Sequence, residues 1–203
     1  VDLGSGSLID LTRFGLPAEP TPQEVLADGA DLVTFSGDKL LGGVQAGIIV
    51  GKRELIERIR KNPMKRALRA DKITLAVLAA TLKIYEDPDN LSDNIPILKI
   101  MTRPVAELEQ AAQRLKSAFS ANYACAIERT EAQIGSGALP DKTLPSLALR
   151  LRHSSMSAKD ISTQLRALPV PVVGRIKDDC VWLDLRCAEP VDELIEQLSR
   201  LPQ

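Results

Sequence analysis

A lysine set between glycines carries the clearest chemistry in this chain. Lys39 lies in Ser36-Gly37-Asp38-Lys39-Leu40-Leu41-Gly42-Gly43, directly after the apolar run Leu32-Val33-Thr34-Phe35. The flanking glycines let the backbone approach a bound ring closely. A lysine enclosed there would have a lowered pKa and serve as nucleophile and base. Asp2, in Val1-Asp2-Leu3-Gly4-Ser5-Gly6, is the partner that such a lysine would need. A carboxylate can keep a pyridine nitrogen protonated, and protonation makes the ring an electron sink. A primary amine and a carboxylate are what pyridoxal phosphate (PLP) requires. Lys39 is therefore the expected Schiff-base lysine and Asp2 the expected partner of the pyridine nitrogen. Asp38 could orient Lys39 or move a proton, and Ser36 could reach the cofactor phosphate.

Each of these residues also has a plainer role. An isolated lysine near glycines is commonly a surface residue. Asp38 could stabilise its turn, Asp2 could cap the Gly4 or Ser5 amides, and Ser36 is an ordinary turn residue. Arg66 and Arg69 lie in Lys65-Arg66-Ala67-Leu68-Arg69-Ala70-Asp71-Lys72. Residues three apart share a helix face, so two guanidinium groups there could grip one oxyanion with bidentate hydrogen bonds. Salt bridging to nearby acids is the alternative. Gln133-Ile134-Gly135-Ser136-Gly137-Ala138-Leu139-Pro140 reads either as a ligand-facing loop or as a plain connection between strands.

The whole chain has 203 residues and a net charge of −1, so overall charge points to no nucleic-acid partner. The distribution says more. Residues 52–72 hold nine Lys/Arg against three acids, a local +6. Such a patch suits a phosphate-bearing ligand or tRNA, or else is a solvated helix face. No apolar run approaches the ~18–20 residues of a membrane span, and no signal peptide is visible. Cys125, Cys180 and Cys187 show no C-x-x-C spacing, which argues against a disulfide framework or a zinc site and for reduced, buried thiols in the cytoplasm. His153 is the only histidine. The opening at Val1, directly before a motif, reads as the C-terminal part of a longer protein.

The elements that position these residues follow from pattern. Residues 31–35 and 46–50 read as buried strands on either side of the Lys39 loop. Thr21-Pro22-Gln23-Glu24 predicts a capped helix to about Asp28. Helices are expected over 52–60 and 71–86, the latter with Ile73, Val77, Leu78, Leu82 and Tyr85 on one side. A boundary is expected near 87–97, rich in Pro, Asp and Asn. Beyond it a long helix is expected over 98–121, then strands near 124–133, 145–152 and 171–186, the last turning at Lys177-Asp178-Asp179. Ser157 should cap a helix to about Leu168, and Val191, Leu194, Ile195, Leu198 and Leu201 mark a final one. The fold class expected is α/β, with helices on one face of the second sheet.

Four of these stretches, at 2–6, 35–43, 65–72 and 133–137, resemble the bacterial selenocysteine synthase family, the L-seryl-tRNA(Sec) selenium transferases. So do Pro169-Val170-Pro171-Val172-Val173-Gly174-Arg175-Ile176 and Trp182-Leu183-Asp184-Leu185-Arg186. The resemblance covers nearly the whole chain. It implies the C-terminal part of an aspartate-aminotransferase-like (fold type I) PLP large domain over 1–90, then a smaller α+β domain over 91–203. It implies that Lys39 holds PLP, that Asp38 is the acid beside it, and that Arg66 and Arg69 bind selenophosphate. The implied reaction converts seryl-tRNA(Sec) to selenocysteinyl-tRNA(Sec) through an aminoacrylyl intermediate, in a cytoplasmic homo-oligomer of dimers assembled into a ring. Val44 stands where many relatives carry proline. The glycine-rich phosphate loop, the ring-stacking residue and the family's N-terminal tRNA-binding domain have no counterpart in this sequence. These 203 residues alone are therefore expected to bind PLP poorly and to show no turnover. Two other readings stay open at this stage: a fold type I lyase or transferase acting on a free amino acid, and a non-catalytic assembly module.

Overall fold

The computed structural model describes residues 1–134 and 139–202. It is a mixed α/β chain with two sheets, and it divides into two compact units. The first comprises Val1–Thr102 with Gln133–Lys142, and the second Arg103–Ala132 with Thr143–Gln203. The expected boundary at 87–97 falls in a run of short helical turns before the end of the first stretch. The loop expected at 135–138 lies outside the described residues.

The first unit is built on β1 (Asp2–Gly4), β2 (Leu32–Ser36) and β3 (Gly47–Gly51), in that spatial order. β1 runs parallel to β2 and places Asp2 opposite Thr34. β2 runs antiparallel to β3, from Leu32 opposite Gly51 to Ser36 opposite Gly47. Val33 and Phe35 point into the core, as the alternation of β2 requires. α1 (Pro22–Ala27) starts as its sequence predicts. The Thr21 side chain accepts from the Glu24 amide at 3.2 Å, and the Glu24 carboxylate accepts from the Thr21 amide at 2.8 Å. After β3 come α2 (Arg53–Lys61), α3 (Lys65–Leu68), α4 (Lys72–Ile84), α5 (Leu91–Asn94) and α6 (Pro96–Thr102). The far end of the 133–142 segment is tied into this unit by Lys142, whose ammonium meets the Glu19 carboxylate at 3.1 Å.

α4 departs from expectation in what it buries. Its N-terminus is capped by Asp71, which accepts from the Ile73 and Thr74 amides. Of the apolar side expected, Ile73 is 78 % exposed, and Val77 and Leu82 are exposed too. Thr74 and Leu78 are half-buried, and its C-terminal end packs through buried Thr81 and half-buried Tyr85.

The second unit contains α7 (Val105–Lys116), β4 (Tyr123–Ile134), β5 (Leu139–His153), α8 (Ala158–Arg166), β6 (Arg175–Lys177), β7 (Cys180–Asp184) and α9 (Val191–Leu198). The spatial order of its sheet is β4-β5-β7-β6. β5 and β7 pair antiparallel from Ala148 opposite Asp184 to Leu151 opposite Val181. β6 and β7 form the expected hairpin, in which Asp178 and Asp179 both take positive φ, 50° and 53°. Two consecutive left-handed residues are the mark of a turn whose twist matches its strands. Leu147, Leu149, Leu151, Val181, Leu183 and Leu185 form one sheet face of the core. Leu108, Ala112 and Leu115 of α7, Ile161 and Leu165 of α8 and Leu198 of α9 belong to the same core. Each fully buried leucine contributes roughly 1.5–3 kcal/mol.

The single helix expected over 98–121 is two, α6 and α7, separated at Arg103-Pro104. Pro104 has no N–H to continue the ladder and drives the preceding residue out of the helical region. Arg103 turns inward there, 7 % exposed, and donates through Nη1 to the Leu185 and Arg186 carbonyls at 3.1 and 2.9 Å.

Candidate active site

The Lys39 loop is held from several sides. At its base the Gly37 amide donates to the Ala46 carbonyl at 2.8 Å, closing the mouth between β2 and β3. The Gly43 amide donates back to the Gly37 carbonyl at 2.8 Å, and the Gly42 amide to the Lys39 carbonyl at 2.9 Å. Two glycines are required by this path. A Cβ on Gly37 would sit 2.7 Å from the Val44 carbonyl oxygen. Gly42 has φ +71° and would press a Cβ onto Ile95 at 2.8 Å. Leu40 and Leu41 anchor the loop in the core, and the Tyr85 hydroxyl donates to the Leu41 carbonyl at 2.9 Å. Burial pushes the Tyr85 hydroxyl up to about 12, so it stays a neutral donor. Lys39 itself is half-buried and Asp38 exposed on this rigid loop.

Asp2 is placed by the strand pairing. Its Oδ1 accepts from the Gly4 amide at 3.0 Å and from the Thr34 hydroxyl at 2.9 Å. These two hydrogen bonds, then the nearby Lys39 ammonium, hold the Asp2 carboxyl below its ordinary value. No donor among the described residues reaches Oδ2. The carboxylate is thus fixed through one oxygen and open at the other, within electrostatic reach of Lys39. Its expected capping of the Gly4 amide is also present, so the plain role and the chemical one coexist.

This donor set fits pyridoxal phosphate. An ionised carboxylate suits a protonated pyridine nitrogen, and a primary amine on a fixed loop suits an aldehyde. Ser36 is half-buried at the end of β2, next to the loop. Thr34 is the residue that sequence reasoning missed. Its role depends on the register of β1 against β2, and only its place in an apolar strand hinted at a polar duty.

Arg66 and Arg69 stand apart from this constellation. Residues 57–73 are all exposed. Arg66 is in α3, a single turn, and Arg69 follows it with extended backbone, φ −67° and ψ 137°. The shared helix face expected for the pair therefore ends at Leu68. Among the described residues neither arginine has an ion-pair partner, and Lys52 with Asp31 is the one ion pair in the basic stretch. No hydrogen bond links either arginine to Lys39 or Asp2 among the described residues. Nothing in the described residues groups three or more His, Cys, Asp or Glu as a metal site.

Residues 1–189 match the family described as L-seryl-tRNA selenium transferase. The chain belongs to that family. It is 52% identical over 207 aligned positions to the L-seryl-tRNA(Sec) selenium transferase of Klebsiella pneumoniae strain 342, covering 98% of this chain and 44% of that protein. The enzymes of the same name from Yersinia pestis strain Pestoides F and Yersinia pseudotuberculosis strain YPIII are each 51% identical over the same span. The chain thus spans less than half the length of the relatives it matches. The match includes both strands around Lys39, the arginine pair and the sheet of the second unit.

Proposed function

We propose that this chain supplies the Schiff-base lysine, Lys39, and the pyridine-nitrogen partner, Asp2, of a PLP-dependent selenium transferase. The whole protein converts L-seryl-tRNA(Sec) to L-selenocysteinyl-tRNA(Sec), within a fold type I large domain followed by a small α+β domain. The observation that carries this is the carboxylate of Asp2, fixed through one oxygen by Gly4 and Thr34 with the Lys39 charge nearby, in a chain of this family.

Bound there, PLP supplies an electron sink for charge at the seryl α-carbon. The chain's own residues do the rest. Asp2 keeps its negative charge, because its hydrogen bonds favour the ionised form. The Lys39 amine, once free, takes the proton from the seryl α-carbon and returns one later. Asp38, next to it on a fixed loop, orients that amine. Ser36 donates to the cofactor phosphate. Arg66 and Arg69, without a carboxylate partner among the described residues, bind the phosphate oxygens of selenophosphate, the donor that replaces the serine hydroxyl with selenium.

The assembly we infer is a cytoplasmic homo-oligomer. It is supported by the apolar side chains of Met64, Leu68, Ile73 and Leu75, each more than half exposed in this chain. A soluble monomer rarely leaves such a run bare. No helix among the described residues is long and apolar enough to cross a membrane.

The test is a transfer assay on the full-length protein with selenophosphate, comparing seryl-tRNA(Sec) with free serine. Selenium incorporation on the tRNA alone supports this reading. Turnover of free serine without tRNA replaces it with a free-amino-acid lyase or transferase.

A further inference from the structure

The sheet of the second unit has one face in the core and one face lined with cations. β5, β7 and β6 set two rows across that second face. In the first, Trp182 of β7 lies opposite Arg150 of β5 and Arg175 of β6. In the second, Cys180 of β7 lies opposite Lys177 of β6, and Arg152 of β5 donates through Nε to its Sγ at 3.0 Å. The rows are two residues apart along each strand, about 6.6 Å. Arg175 and Lys177 each hold their charge 5.8 Å from the centre of the Trp182 ring. The ring is fixed by its own N–H, which donates to the Lys177 carbonyl at 3.2 Å.

Two of the four cations on this face have carboxylate partners. Arg150 is paired with Glu128 at 3.0 Å, and Arg175 lies 3.8 Å from Asp184. Through its other oxygen, Oδ1, Asp184 accepts from the Ser146 hydroxyl at 2.8 Å and the Arg186 amide at 3.0 Å. Arg152 and Lys177 are exposed and have no carboxylate within ion-pair distance among the described residues. Four cations thus meet two ion-paired carboxylates around a half-buried indole, on an open sheet rather than in a groove, with the exposed Asp178 and Asp179 in the turn beyond Lys177. The shallow cavity beside Ala124, Cys125 and Ala126 is bordered by Arg150 and Arg152 and measures about 180 Å³.

We propose that this face binds the RNA backbone, with Arg152 and Lys177 on phosphates and Trp182 against a base or ribose. Rows of fixed cations around an aromatic ring on a four-stranded sheet suit a polyanion that also carries flat rings. The proposal rests on tRNA being the substrate. It adds contact residues in the second unit to those of the Lys39 loop and the basic stretch 52–72 in the first. Arg152 and Lys177 act in binding, not in the chemical step.

The experiment uses the full-length protein and a tRNA(Sec) transcript, with Kd measured between 50 and 200 mM salt. The double variant Arg152→Gln/Lys177→Gln is expected to bind roughly tenfold more weakly at low salt, with a log–log salt slope smaller by about 2. Lys177→Gln alone, at an exposed side chain whose charge lies over the Trp182 ring, should lower the slope by about 1. Lys177→Arg should restore it. Arg200→Gln, two residues past the end of α9, whose partner is Glu196 of that helix, should leave binding unchanged. Wild-type affinity and slope in the double variant, while the wild type binds and converts seryl-tRNA, overturn this proposal and leave the transferase reading intact. A change of oligomeric state with unchanged RNA affinity also overturns it, and assigns the face to another protein surface. A wild-type protein that binds no tRNA at all overturns both.

Discussion

The Lys39 loop and the helical arm from α2 to the middle of α4 are neighbours in sequence and opposites in structure. The loop is pinned by its own backbone hydrogen bonds, by Leu40 and Leu41 in the core, and by Tyr85 from α4. The arm is exposed along almost its whole length, apolar residues included. Both regions carry residues assigned to chemistry. The difference is that this chain fixes the loop backbone that carries Lys39 and the carboxylate of Asp2 by itself, whereas no ion pair among the described residues holds Arg66 or Arg69. Preorganisation of a site requires support behind each functional group. On this account the arginines gain theirs from protein surface outside this chain.

The largest effect that would sharpen this contrast is at Lys39. In the full-length enzyme Lys39→Ala should lower turnover by more than about 10³-fold, since it removes both a nucleophile and a proton carrier. Wild-type turnover in that variant would favour the assembly-module reading. Arg66→Ala or Arg69→Ala should cost roughly 10²-fold in kcat/KM for the selenium donor. Release of the serine hydroxyl, followed separately, should continue. If both half-reactions fall together, the arginines act on something other than the donor.

Stability separates the regions next. Gly37→Ala must move the Val44 carbonyl, and should destabilise the chain by about 1–3 kcal/mol in a denaturant titration. Ile73→Ser on the arm should change the stability of the isolated chain by less than about 0.5 kcal/mol. In the full-length protein the same change should weaken the oligomer in sedimentation. A large loss of stability in the isolated chain would mean that the arm is buried after all.

The smallest effect concerns Asp2. Its folded value is depressed, so its contribution to stability is present above its ordinary value of 3.8 and is lost as pH falls through the folded value. Thr34→Val removes one of the two hydrogen bonds responsible and should raise the Asp2 value, read from its carboxyl resonance in an NMR titration. No movement would detach Thr34 from the site.

Much of this was readable from residue patterns, for local reasons. The strands around Lys39, the Thr21 capping box, the Ser157 cap and the Asp178-Asp179 turn each depend on a few adjacent residues. Family motifs nominated Lys39, Asp38, Arg66 and Arg69 as proposed site residues. What was not legible depends on distant partners. Thr34 meets Asp2 only because two strands pair in one register. α4 was expected to bury a side that this chain leaves exposed, because periodicity shows that a face is apolar and not what covers it. The break at Pro104 was available in principle, since a proline inside a helical pattern ends it. The periodic leucines on either side concealed it.

The central claim is that Lys39 carries the cofactor beside Asp2. The direct measurement is borohydride reduction of the full-length protein followed by peptide mapping of the pyridoxyl label. The account predicts the label on Lys39 and none on other lysines of this chain. A folded, cofactor-loaded protein whose label falls elsewhere, with Lys39 unmodified, would contradict it.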